Sequence, residues 1–364
     1  MAENKVRMEW LDAMRGFTMI LVVAYHVAQM SFGQSEKTSA SLPFLVLFRM
    51  PLFFFVSGFL AYKSKAIWTG EYFKSLVWKK IKVQVLPALI FLCAYIILRL
   101  GDFWNTFIKC METPTKGGYW FTLALLYMFI IYYIFAFIEQ RLFKAFPQIY
   151  KEKWGWIPIT MLFVLSLFVY ETLYLPKCFT YFKDKFYMYS SLYQVMKFFH
   201  FFLMGNIVHR YWKQVQRLFD TKWFFPILLT TAFVCCADIF RWHTLRYGWT
   251  NLPRTLAMYT LMFTVIIFFR HYKQYFTKDT RLGKSLQYIG TRTLDIYLLH
   301  FFFLPKLPMV GTWLNEYRPN FCVDIVLSFS MAAIVIGFCL LTSNILRINP
   351  ILKEYLFGRV EKKQ

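Results

Sequence analysis

Three side chains that can trade protons or hold charge, Asp12, Arg15 and His26, interrupt an apolar stretch near the start of the chain. A helix advances about 100° per residue, so the eleven steps from Arg15 to His26 return to within about 20° of one face. Asp12 falls about 40° to the other side, and His26 stands ~17 Å above Arg15. The three therefore line a single stripe. Imidazole suits general-base work near neutral pH, and guanidinium suits holding an anion. The plainer alternatives are an i,i+3 ion pair or snorkelling for Asp12 and Arg15, and a hydrogen-bonded structural histidine for His26.

Two further segments carry the same kind of residue. Arg49 lies in Phe48-Arg49-Met50-Pro51-Leu52-Phe53-Phe54-Phe55-Val56-Ser57-Gly58, where Pro51 frees a backbone carbonyl for a polar partner. Ser57 and Gly58 read as small packing residues. A later segment runs Gly290-Thr291-Arg292-Thr293-Leu294-Asp295-Ile296-Tyr297-Leu298-Leu299-His300. Its Thr293, Tyr297 and His300 share a face at i, i+4 and i+7, while Arg292 and Asp295 stand in i,i+3 relation. Charge inside a bilayer costs ~2.5–3.5 kcal/mol on insertion scales, so such residues mark function by default. His26, Arg49 and His300 are expected to converge at one depth.

The elements that must position them are membrane spans. Of 364 residues, 58% are hydrophobic, 22% aromatic and 17% charged, against about 25% charged in a soluble chain. Mean hydropathy is +0.43. Ten stretches approach the ~20 apolar residues that a span needs: Trp10–Met30, Leu42–Tyr62, Val83–Leu100, Tyr119–Ile138, Ile157–Leu175, Leu192–His209, Trp223–Phe240, Leu252–Phe269, Leu286–Leu304 and Cys322–Leu346. The sixth is the weakest, because Lys197 and His200 interrupt it. The fold class predicted is all-α, a polytopic transmembrane bundle of about ten spans.

The net charge of +23 raises the question of nucleic acid. Its distribution argues against that, because Lys and Arg fall in short clusters between apolar runs. The N-terminus, the loops after even-numbered spans and the C-terminus hold 26 of the 42, and the opposite side holds 13. That bias places both termini in the cytoplasm. Lys5 and Arg7 before an apolar run resemble a signal peptide, but Asp12 and Arg15 within it point to an uncleaved first span. The seven Cys form no C-x-x-C pair, so neither a metal site nor a disulfide framework is expected, with a single Cys110–Cys178 link left open.

Taken together, these segments resemble the acyltransferase family 3 membrane proteins. Leu11-Asp12-Ala13-Met14-Arg15-Gly16 is similar to the family's first-span opening, and Arg15 and His26 keep its Arg, ten residues, His spacing. Phe48 to Gly58 resembles its second-span signature, Gly118-Tyr119-Trp120-Phe121 the start of its fourth span, and Gly290 to His300 its Ile-Tyr-Leu-x-His segment. One departure is clear. The family's paired Arg ahead of a Pro in the third span is replaced by Lys79, Lys80 and Lys82 before Pro87, at a different offset.

The resemblance implies one acyltransferase domain over 1–364 in a bacterial inner membrane. It would move an acyl group, acetyl above all, from cytoplasmic acyl-CoA to a hydroxyl of an extracytoplasmic or lipid-linked glycan. No bound cofactor is expected, acyl-CoA being a co-substrate, and the partners are the donor, the glycan and the lipid bilayer. His26, Arg15 and Arg49 are the expected catalytic residues, supported by Asp12, His300 and Tyr297. Lys79, Lys80 and Lys82 would bind the donor, and Tyr119 and Trp120 the acceptor, although basic loops and aromatic belts arise at span ends without any ligand. The rival reading is a transporter or flippase for a glycan or lipid carrier.

Overall fold

The computed structural model describes residues 8–99, 102–147, 154–181, 183–242, 252–316 and 320–358, with the backbone alone for 99, 178, 179, 181, 241 and 242. All regular elements among the described residues are helical. This is what a bilayer demands, because each helix satisfies its own backbone groups where no water can. Seven of these helices are long and apolar enough to cross a membrane: Glu9–Ser31, Leu42–Ala61, Gly70–Leu98, Trp120–Ala145, Ile157–Lys177, Leu252–His271 and Phe321–Leu346. Two pairs meet the same test when joined but are sharply bent. Trp212–Phe219 turns by 79° into Phe224–Phe240, and Thr293–Phe303 turns by 87° into Pro308–Glu316.

The described spans therefore number seven, or up to nine, rather than the ten expected. The sixth stretch does form a helix, Leu192–Arg210, but one too polar to qualify by composition. Its His200 and Asn206 are fully buried, so its polar groups face protein. The ninth expected span is two helices, Arg281–Thr291 and Thr293–Phe303, which meet at Arg292 (φ −113°, ψ 19°).

The chain divides into two compact units. The first comprises Met1–Phe53, Gln216–Leu245 and Leu252–Ile345, and the second Phe54–Val215, Arg246–Asn251 and Leu346–Gln364. In the first unit the opening helix, Glu9–His26, lies against Arg281–Thr291 with glycine facing glycine. A Cβ added at Gly16 would run into the Leu286 carbonyl, and one at Gly290 into the carbonyl of Asp12. Small residues permit this approach, which dispersion and packing then hold together in lipid. Buried Asp324 anchors the start of the Leu42–Ala61 helix. Its Oδ2 accepts from Ser39 Oγ at 2.5 Å and from the Ser41 N–H at 3.1 Å.

Gly16→Ala is expected to destabilise this unit by about 1–3 kcal/mol or more, because the obstacle is backbone that cannot rotate away. Gly337→Ala is the control, since nothing lies within 4 Å of the added carbon. Thermal unfolding in detergent should show a lower midpoint for the first and none for the second.

In the second unit, Gly58 packs on the Phe202 carbonyl and Gly205 on that of Phe55, which joins residues 54–61 to the Leu192–Arg210 helix. Buried Glu139 holds Arg210 through two bonds of 2.7 and 2.9 Å. An α-to-π transition at Ile81–Val85 follows the Gly70–Lys80 helix.

Candidate functional site

The first unit gathers the polar stripe. His26 is the last residue of the opening helix, and the chain then continues as a π turn, Val27–Ser31, closed by Phe32 N–H to the Val27 carbonyl at 3.0 Å. Wide turns of this kind occur frequently at functional sites. The His26 ring stands 5.2 Å from that of His300, centroid to centroid, and 5.3 Å from Phe301. The hinge at Arg292 and the glycine contact behind it bring the second histidine to the first.

His300 is fully buried. Its Nδ1 lies 3.1 Å from the Ile296 carbonyl. A carbonyl only accepts, so Nδ1 carries the proton and Nε2 the lone pair. That Nε2 is buried without a partner, as is Nδ1 of His26. Two imidazole nitrogens are thus left unsatisfied side by side. Buried polar atoms in such a state are costly and rare, which marks the place.

Arg49 joins them through a neighbour. Its guanidinium carbon lies 3.4 Å from the centroid of the Tyr25 ring, a close cation–π contact. Arg49 Nε is itself buried without a partner. His26 and Arg49 both retain part of their surface. Tyr297 stands 6.2 Å from the His300 ring.

The lower part of the stripe is a separate cluster. Arg15 donates to Asp12 at 3.1 Å and to Thr293 Oγ1 at 3.3 Å, so the expected i,i+3 pair also reaches across to the neighbouring helix. Arg292 and Asp295 pair at 3.4 Å, and Ser343 Oγ donates to the same carboxylate at 2.5 Å.

The other expected residues belong to the second unit. Lys79 and Lys82 are exposed, while Lys80 sets its ammonium 3.6 Å from the Phe129 ring centroid. Tyr119 is buried, and Trp120 keeps some surface while stacking on Phe198 at 5.9 Å. Ahead of them, Lys116 is 3% exposed, and its ammonium donates to the carbonyls of Met111 and Met188. Burial pulls its pKa down to about 8. Lys116, Gly117 and Gly118 all have positive φ, and the clamp fixes the turn into the Trp120–Ala145 helix.

The sequence reading missed Tyr25, Lys116 and the Glu139–Arg210 pair. For Glu139, a carboxylate within an apolar run was the available signal. Tyr25 carried none, because an aromatic residue beside a histidine is unremarkable until Arg49 lies on it. The side chain of Cys178 is outside the described residues, and Cys110 is a free thiol.

Helices of this length and apolarity, repeated along the chain, define a multi-pass integral membrane protein. The sequence matches the acyltransferase 3 family, an acyltransferase domain, over residues 8–345, and the chain belongs to that family. No curated protein matches it, and no solved structure does.

Proposed function

We propose that this acyltransferase moves a short acyl group, acetyl above all, from cytoplasmic acyl-CoA to a hydroxyl of an extracytoplasmic or lipid-linked glycan. The whole chain acts as one acyltransferase domain, in a bacterial inner membrane, with both termini cytoplasmic. The observation that carries the reading is the His26–His300 pair, with its two unsatisfied nitrogens in a chain of this family.

His26 is the general base. At 5.2 Å between centroids, a small ring rotation brings one nitrogen of each imidazole within hydrogen-bonding reach. His300 Nε2 then accepts from His26 Nδ1–H, which leaves the lone pair of His26 Nε2 for the acceptor hydroxyl. As that proton moves to Nε2, the alcohol oxygen bonds to the thioester carbonyl carbon. The C–S bond breaks next, and the imidazolium returns its proton to the departing thiolate. Arg49 offsets the negative charge that develops on the carbonyl oxygen. Arg15, held by Asp12, contacts the donor, and Tyr297 flanks His300. Lys79, Lys80 and Lys82 take the phosphates of CoA. Trp120, with Tyr119 behind it, offers an aromatic surface to a sugar.

Purified protein supplied with labelled acetyl-CoA and an extract of the cell envelope should release free CoA and label the glycan. A transporter would neither bind nor consume the thioester, and that result would remove the enzymatic reading.

A further inference from the structure

Within eight residues of His26 along the chain, two further buried polar side chains, Ser31 and Gln34, carry an oxygen without a partner among the described residues. Ser31, at the end of the π turn, is 1% exposed. Its carbonyl accepts the Leu307 N–H at 2.8 Å, yet its hydroxyl is buried without a partner. A helical Ser or Thr ordinarily turns its hydroxyl back to the carbonyl four residues earlier, as Thr18 does to Met14 at 2.7 Å. Ser31 does not. On an α-helix, the five steps from His26 would place Ser31 about 140° away. A π turn closes from i to i+5 instead, which brings Ser31 back over His26.

Gln34 is the second group. Gly33, Ser35, Glu36, Lys37 and Thr38 around it are all exposed, while Gln34 itself is 4% exposed. Its N–H is satisfied by the Ala28 carbonyl at 3.0 Å, but the side-chain Oε1 is buried without a partner. Gly311, on the Pro308–Glu316 helix, packs on the Phe32 carbonyl and lies close to Gln34 Cγ. A polar amide in an exposed loop has water available at no cost. Folding it inward is unfavourable unless something else takes the bonds.

We propose that Ser31 and Gln34 form the subsite that binds the acceptor's hydroxyl groups beside His26. This inference rests on the acyl-transfer reading above. A hydroxyl and a primary amide each donate and accept and carry no charge. Together they match neighbouring hydroxyls of a neutral polyol, one bound and one presented to the base. They do not match an anion, which would call for cations. The Arg49 guanidinium is taken up against the Tyr25 ring.

The test titrates the acceptor-bearing envelope fraction of the producing cells over purified protein, at fixed [14C]acetyl-CoA, and follows base-labile label. Ser31→Ala and Gln34→Leu should each raise the half-saturating amount of that fraction roughly three- to tenfold, the scale of one or two lost hydrogen bonds. Half-saturation by acetyl-CoA should stay within about twofold of wild type, since the donor makes neither contact. Gln34→Glu, nearly the same shape, substitutes if Gln34→Leu does not accumulate, and should show the same acceptor-only shift. Unchanged acceptor saturation in these variants overturns the subsite, as does a parallel loss of donor affinity. No label above that of a protein-free control instead overturns the acyl-transfer reading, and the subsite with it.

Discussion

His26→Ala should lower acyl transfer by a factor of about 10²–10⁴, the usual scale of a lost general base, while the protein accumulates in the membrane at the wild-type level. The two halves of that expectation have separate grounds. Removing the imidazole removes the proton acceptor, and His300, although its Nε2 keeps a lone pair, is wholly buried behind the lost ring and does not reach the acceptor hydroxyl. Accumulation should hold because His26 Nδ1 has no bond to lose and the residue keeps part of its surface. The measurement is label from acetyl-CoA into glycan at matched protein abundance. Full activity would take His26 out of the chemistry. A loss of protein rather than of rate would instead identify it as a packing residue against His300 and Phe301. The defect should appear in turnover with little change in donor affinity, because a base acts in the transition state and not in thioester binding.

Much of this centre could be read before any coordinates, for one physical reason. A helix has a fixed period, so residues three, seven or eleven apart declare their face from the sequence alone. This is how Asp12, Arg15 and His26 fall into a stripe, and how His300 follows Thr293. Apolar length served equally well for the unbroken spans, because lipid permits so few alternatives to a helix.

What the period cannot supply is the place where it changes. The π turn after His26 shifts every later face, so the α-helical period of the opening span does not carry through to Ser31. The break at Arg292 and the 87° bend after Phe303 look, in a hydropathy profile, like one straight span followed by a loop. The Leu192–Arg210 helix was weak on polarity, and its polarity proved to be internal. Contacts between distant segments were also out of reach. Nothing local to Tyr25 announces Arg49, and the glycine facing of Gly16 and Gly290 joins positions at opposite ends of the chain.

Glu139→Ala should destabilise the second unit by about 3–5 kcal/mol, the usual cost of stranding one partner of a buried ion pair. Arg210 and Glu139 have side chains only 10% and 8% exposed, with N and O 2.7 Å apart. Water cannot take over the missing carboxylate, and Arg210 Nε is already without a partner. The pair itself need contribute little net stability, since desolvating two charges offsets most of their attraction. That asymmetry makes a sharper expectation than the single mutant alone. Glu139→Leu combined with Arg210→Met should recover most of the thermal stability lost by Glu139→Ala, because neither charge is then stranded. Unfolding midpoints in detergent for wild type, Glu139→Leu, Arg210→Met and the double variant complete the cycle. If the double variant is no better than Glu139→Ala, the pair is holding a specific geometry rather than merely cancelling charge. The buried neighbours Tyr132 and Asn206 would then be the next positions to change.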